Sequence, residues 1–135
     1  MIACVDDDAP VREAVEGLLN AFGYNVITFS SAEDFLESDE IGLIACLITD
    51  IRLGGKSGLQ LQRELLASGH EIPTIIITAF AEAGYRGPAI EAGAVDFLRK
   101  PILPERLLAA VERAVGLADH ESQTGVPSAK LNLEE

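Results

Sequence analysis

Short apolar runs alternate with amphipathic stretches five times along the chain. The runs are Ile2 to Val5, Tyr24 to Phe29, Leu43 to Asp50, Thr74 to Thr78 and Ala94 to Leu98. Each is short for a helix and bounded by turn formers or charge, so each predicts a strand. The run Leu43-Ile44-Ala45-Cys46-Leu47-Ile48-Thr49 is continuously apolar until Asp50, the pattern of a strand covered on both faces. Between the strands the apolar period lengthens. Val11, Ala14, Val15, Leu18, Leu19 and Phe22 form one stripe, with Asp8 at the cap, Pro10 in the first turn and Gly23 as the stop. Ser30 and Glu33 predict a capping box for a short helix carrying Phe35 and Leu36. A third helix turns Leu61, Leu65 and Leu66 inward. A last one, from Pro104 with Leu103 as a poor cap, buries Leu107, Leu108, Val111, Ala114 and Val115. Between Ala81 and Pro88 the residues Gly84, Gly87 and Pro88 disfavour a helix, by roughly 1 kcal/mol for glycine and roughly 3 for proline. That stretch predicts only a short helix from near Pro88, preceded by a mobile loop. From Asp119 the periodicity is lost, so residues 1–118 read as one domain and 119–135 as a tail or linker.

Strands alternating with helices predict an α/β fold, one parallel sheet with helices on both faces and right-handed crossovers. Composition adds exclusions. A chain of 135 residues that is 48% hydrophobic can bury a core without staples. A net charge of −12 argues against nucleic-acid or anionic-membrane binding by this chain, since both require clustered positive charge. With no signal-peptide pattern and no run long enough to cross a membrane, a cytoplasmic location is expected. Cys4 and Cys46 lie inside strand runs and read as reduced, buried hydrophobes; His70 and His120 read as exposed, without a role.

In open α/β sheets ligands sit beyond the carboxyl ends of the strands. The predicted strands deliver Asp6 and Asp7, Asp50, Thr78 and Lys100 to that edge. Clustered carboxylates repel unless a cation joins them, and Mg2+ takes one or two carboxylates with water and phosphate oxygens. An ammonium and a hydroxyl facing those acids are the partners a phosphoryl group requires. Asp50 is then a candidate nucleophile for an aspartyl phosphate. Singly, these residues would read as a turn acid, a strand threonine and a surface lysine; their convergence is the signal.

Asp6-Asp7, Thr49-Asp50, Gly58, Thr78-Ala79 and Gly93-Ala94-Val95-Asp96-Phe97 followed by Lys100-Pro101 resemble, in order and spacing, the response-regulator receiver domain of two-component systems. The resemblance covers roughly Ile2 to Leu117 and is nearest to regulators of the nitrogen-fixation type, which usually carry a helix-turn-helix output domain. It implies a flavodoxin-like five-stranded sheet of order 2-1-3-4-5. It implies that Asp50 accepts a phosphoryl group from a histidine kinase or phosphotransfer protein. Asp7, Asp50 and the Arg52 carbonyl would hold Mg2+, with Asp6 acting through water. Thr78 and Phe97 would be the switch pair, Lys100 would bind the phosphate, and the Lys100–Pro101 bond would be cis. The output would be a joined domain or a partner protein, with a phosphorylation-dependent homodimer implied by the face such domains use. The chain would catalyse its own phosphorylation and dephosphorylation without being a turnover enzyme. Gly54 stands where the family usually has proline, which implies a looser loop after Asp50. Two rivals remain: a receiver-like interaction module that is never phosphorylated, and a Mg2+-dependent aspartyl-phosphate phosphatase. The phosphatase would require an acid two residues after the nucleophile, where this chain has Arg52.

Overall fold

The computed structural model describes residues 1–79, 83–91 and 93–122. Five strands, β1 (Ile2–Val5), β2 (Val26–Phe29), β3 (Cys46–Asp50), β4 (Thr74–Thr78) and β5 (Ala94–Arg99), form a parallel sheet of order β2-β1-β3-β4-β5. Helices α1 (Ala9–Ala21), α2 (Ala32–Leu36), α3 (Gly58–Ala67), α4 (Ala83–Glu91) and α5 (Pro104–Ser122) connect and follow them. This is the flavodoxin-like order that the resemblance implies.

The period-two geometry of strands divides the core in two. On one face Ile2 and Cys4, Cys46 and Ile48, Ile75 and Ile77, and Leu98 pack against Val15 and Leu19 of α1 and Leu107, Val111 and Ala114 of α5. On the other face Ala3, Val5 and Leu47 meet Phe35 of α2 and Leu61 and Leu65 of α3, while Ile76 and Phe97 meet Ile51 and Ala89. Phe29 and Phe35 add an edge-to-face ring contact at 5.2 Å. Both cysteines are free and buried, and burial foremost pushes each thiol up to about 12, so neither is a nucleophile at neutral pH.

Several local expectations shift, each for a reason visible in the backbone. Helix α1 closes on Gly23, whose φ of +91° lets Tyr24 N–H reach the Leu19 carbonyl and Gly23 N–H the Asn20 carbonyl. The closing turn carries Phe22 off the stripe, leaving it 62% exposed. Helix α2 is capped one residue later than the pattern suggests: Ser31 Oγ accepts from Asp34 N–H at 3.0 Å, which frees Glu33 for another partner. Helix α3 does carry a full capping box, from Ser57 and Gln60. Its buried face is Gly58, Leu61, Gln62 and Leu65, and Leu66 falls beyond the edge of that stripe, 45% exposed. A short 3-10 turn at Ile41–Leu43 precedes β3, which is therefore shorter than its apolar run. His70 is half-buried, because it follows the glycine that closes α3 and donates its N–H to the Leu65 carbonyl. The side chain of His120 lies outside the described residues.

The largest differences are at α4 and α5. Helix α4 begins at Ala83 and contains Pro88 as its sixth residue, instead of starting there. Proline removes one interior hydrogen bond, to the Gly84 carbonyl, but the rest of a helix can form around it. Gly87, having no β-carbon, removes one of the contacts a proline ring makes with the residue before it. The mobile-loop expectation falls partly on residues 80–82, outside the described residues. Helix α5 continues through Ser122, so the expected boundary at residue 118 falls inside a helix. The Lys100–Pro101 bond is cis. Among the described residues no helix is long and apolar enough to cross a membrane.

Because Pro88 is interior to α4, replacing it by alanine should restore a helical bond and raise unfolding free energy by about 2 kcal/mol. Thermal or urea unfolding of Pro88→Ala measures this. Lower stability would instead put the helix start at Pro88, where proline is favourable.

Candidate functional site

Register explains the convergence at the carboxyl edge. Val5 pairs with Thr49, so the next residues, Asp6 and Asp50, leave β1 and β3 side by side. Asp50 pairs with Ile77, so Thr78 follows one step further on β4. Thr78 pairs with Arg99, so Lys100 is the first residue past β5, its N–H bonded to the Thr78 carbonyl at 2.8 Å.

The centre of the site is a three-charge contact. Lys100 Nζ lies 2.7 Å from Asp50 Oδ2 and 2.9 Å from Asp6 Oδ2. Asp50 Oδ1 accepts from Arg52 N–H at 3.1 Å, and Asp6 Oδ1 accepts from Asp8 N–H at 2.9 Å. The Arg12 guanidinium donates to the Asp6 carbonyl and fixes the exit of β1. Asp6 is fully buried, Asp50 is 5% exposed, and the Lys100 side chain is 16% exposed. Burial, above all, holds the Asp6 carboxyl above its usual range, against the opposing pull of Asp8 N–H and Lys100. Burial works to lower Lys100, but its bonds to Asp50 and Asp6 outweigh this and raise it overall.

Of the residues singled out by sequence, Asp6, Asp50 and Lys100 are in direct contact. Thr78 is fully buried at the end of β4, and Phe97 is buried against Ile51, Ile76 and Ala89. Asp7 is exposed, and Arg52 meets Asp50 through its backbone N–H while its side chain is exposed. Asp8 occupies the cap position of α1, yet its side chain makes no capping bond. Among the described residues no group of three acids, histidines or cysteines is gathered closely enough to hold a metal ion. Two features nonetheless suit a hard cation. Asp6 Oδ2 is buried and has no hydrogen bond of normal geometry, only the charge of Lys100 beside it. Mg2+ itself needs one or two carboxylates, the rest being water and carbonyl oxygen. Asp6, Asp7, Asp50 and the Arg52 carbonyl are of the right chemistry.

Sequence reasoning missed why residue 58 is glycine. A β-carbon there would lie 2.2 Å from the Asp50 carbonyl oxygen, and Gly58 N–H bonds the Ile51 carbonyl at 2.9 Å. The start of α3 is thus pressed against the backbone of Asp50. A glycine eight residues after a strand-end acid was the available signal. The bond from Arg12 to Asp6 had none beyond its place in the first turn of α1.

Two outcomes follow. Asp6→Asn removes a carboxylate that burial penalises when ionised, so it should raise the melting temperature at pH 7. A raised folded pKa means that protonation favours the native state. The advantage should therefore be full above the folded value and vanish as pH falls to about 3.8, measured by thermal unfolding across pH. Gly58→Ala must move backbone rather than a flexible side chain, and should cost about 1–3 kcal/mol in urea unfolding. Stability equal to the native chain would contradict the close approach.

Comparison with known proteins agrees with this geometry. A family model described as the response regulator receiver domain matches residues 2–112. The transcriptional regulatory protein TdiR of Thauera aromatica is 42% identical over 113 residues, 84% of this chain and 50% of that protein. The transcriptional regulatory protein FixJ of Azorhizobium caulinodans is 37% identical over 112 residues, 83% of this chain and 53% of that protein. Of solved structures, the response regulator StyR superposes with a TM-score of 0.85 at 38% identity, covering 90% of this chain and 62% of that one. The chain spans about half the length of the curated relatives it matches. With the sheet order, the bridging lysine and the family match in agreement, the chain belongs to the response regulator receiver domain family, similar to the FixJ type among others.

Proposed function

We propose that this receiver accepts a phosphoryl group on Asp50 in a Mg2+-dependent reaction and thereby switches an output. Receiver domains of response regulators serve two-component signalling, and the family is not one of classical enzymes. The observation that carries the finer reading is the Asp50 carboxylate, held 2.7 Å from the Lys100 ammonium beside buried Asp6. An oxygen of Asp50 attacks phosphorus of a phosphohistidine on the kinase or phosphotransfer protein. The O–P bond forms, the N–P bond breaks, and the imidazole leaves with the electron pair. Lys100 moves from carboxylate to phosphoryl oxygen, and the Thr78 hydroxyl donates to another. Asp7, Asp50 and the Arg52 carbonyl would hold Mg2+, with Asp6 acting through water, and the bound ion would supply positive charge to offset the acids and the phosphoryl oxygens. In hydrolysis water attacks the phosphorus, the O–P bond to Asp50 breaks with the carboxylate leaving, and inorganic phosphate departs, so Asp50, Thr78 and Lys100 serve the domain's own dephosphorylation without an outside substrate.

Drawing Thr78 toward the phosphoryl group changes the space beside Phe97, which packs between β4 and α4. The two then bias a two-state equilibrium read on the face of α4 and β5. An output domain beyond residue 118 or a separate partner takes that signal, with transcription the expected process and a phosphorylation-dependent homodimer the expected assembly. The acidic balance argues against binding of nucleic acid or an anionic membrane by this chain, and a cytoplasmic location goes with the proposed exchange with a histidine kinase or phosphotransfer protein.

Intact mass after incubation with a small phosphodonor and Mg2+ tests the proposal. One phosphoryl adduct is expected on the native chain, and none on Asp50→Asn or after chelation of Mg2+. No adduct on the native chain would favour the unphosphorylated interaction module. Rapid turnover of a phosphomonoester would favour the phosphatase.

A further inference from the structure

The loop from Ile51 to Ser57 carries Arg52, whose carbonyl is proposed above as a metal donor, and it contains adjacent glycines at positions 54 and 55. Its first half is tied down by buried Leu53 and by the bond from Arg52 N–H to Asp50. A β-carbon on Gly54 would meet nothing within 4 Å. What restrains the second half comes from the neighbouring helix α2, on the same face of the sheet as α3. Glu33 of α2 reaches across, and its Oε2 accepts Lys56 N–H at 3.1 Å. The same carboxylate lies flat against Gly55, where a β-carbon would come within 2.5 Å of Oε2. The Lys56 side chain turns the other way, to Glu64 of α3 at 2.8 Å, and Ser57 begins the capping box of α3. The second half of the loop is therefore held between α2 and α3 through Lys56, with the Glu33 carboxylate as its hydrogen-bond acceptor on the α2 side. Hydrogen bonds from its own amide and from Lys56 keep the Glu33 carboxyl below its usual range, so it is ionised at neutral pH.

We propose that Glu33 is a positioning residue for the phosphorylation site, its carboxylate fixing Gly55 and Lys56 so that the Arg52 carbonyl stays where a cation can use it. The proposal rests on the reading of Arg52 as a metal donor. Glu33 touches neither the metal nor the phosphoryl group in this scheme; it acts through four residues of backbone.

The test uses the full chain and three variants. Glu33→Ala removes the acceptor, Glu33→Gln retains a neutral one, and Gly55→Ala places a β-carbon on the carboxylate and displaces it. Two readouts are taken: amide hydrogen exchange of residues 52–57 without metal, and Mg2+ affinity by calorimetric titration. Expected are faster exchange at residues 52–57 in Glu33→Ala and Gly55→Ala, and Mg2+ binding weaker by about tenfold, the lower end for outer-sphere partners. Glu33→Gln should lie close to native in both, and adduct formation at saturating Mg2+ should reach the native extent in all. Thermal unfolding identifies a variant that has simply lost its fold, in which case Glu33→Gln against Gly55→Ala decides. Native exchange in both variants would overturn the proposal, and so would faster exchange with unchanged Mg2+ affinity. If the native chain itself binds no Mg2+, the metal reading fails instead, a result distinct from either.

Discussion

The site rests on one ammonium ion set between two acids. Lys100 contacts Asp6 and Asp50 at 2.9 and 2.7 Å in a pocket that shields Asp6 fully from water. Like charges at that depth are costly unless paired. The parallel sheet supplies the pairing for a topological reason: β1, β3, β4 and β5 all end at the same edge, so residues one step past the last backbone pair arrive together. The residual strain sits on Asp6, whose carboxyl burial keeps above its usual range even with the lysine beside it. A pocket that favours more positive charge than it holds is suited to a cation.

Much of this was legible in the chain. Apolar runs of four to seven residues ending on Asp6, Asp50, Thr78 and just before Lys100 located the strands and the site together, because in a parallel sheet strand ends and site are the same place. What the pattern misjudged were features set by local backbone geometry. Hydrophobicity put Phe22 in the core, but the turn at Gly23 rotates it out. Propensity broke the fourth helix at Pro88, whereas the structure accepts one lost hydrogen bond within Ala83–Glu91. The cap of α2 slipped by one residue, from Ser30 to Ser31, and that slip turned Glu33 from a presumed cap into a contact with the β3–α3 loop. Contacts between residues far apart in sequence, such as Glu33 with Lys56 and Gly58 with Asp50, leave no periodic trace.

The loop after Asp50 joins these threads. Gly58 presses the start of α3 onto the Asp50 backbone, the Glu33 carboxylate lies against Gly55, and Lys56 is tied to both α2 and α3. On the other side, Phe97 packs with Ile51, directly after Asp50, and with Ala89 of α4. Side chains in one packed cluster thus lead from the residue after Asp50 to α4.

The central claim, that Asp50, the carboxylate paired with Lys100, is the residue modified, is tested most directly by trapping. The chain is incubated with Mg2+ and a small phosphodonor, reduced with borohydride, and mapped by peptide mass spectrometry. An acyl phosphate is reduced to an alcohol, so the account predicts homoserine at position 50 and aspartate retained at positions 6 and 7. Homoserine at another position, or none while a phosphoryl adduct persists elsewhere on the chain, would contradict it.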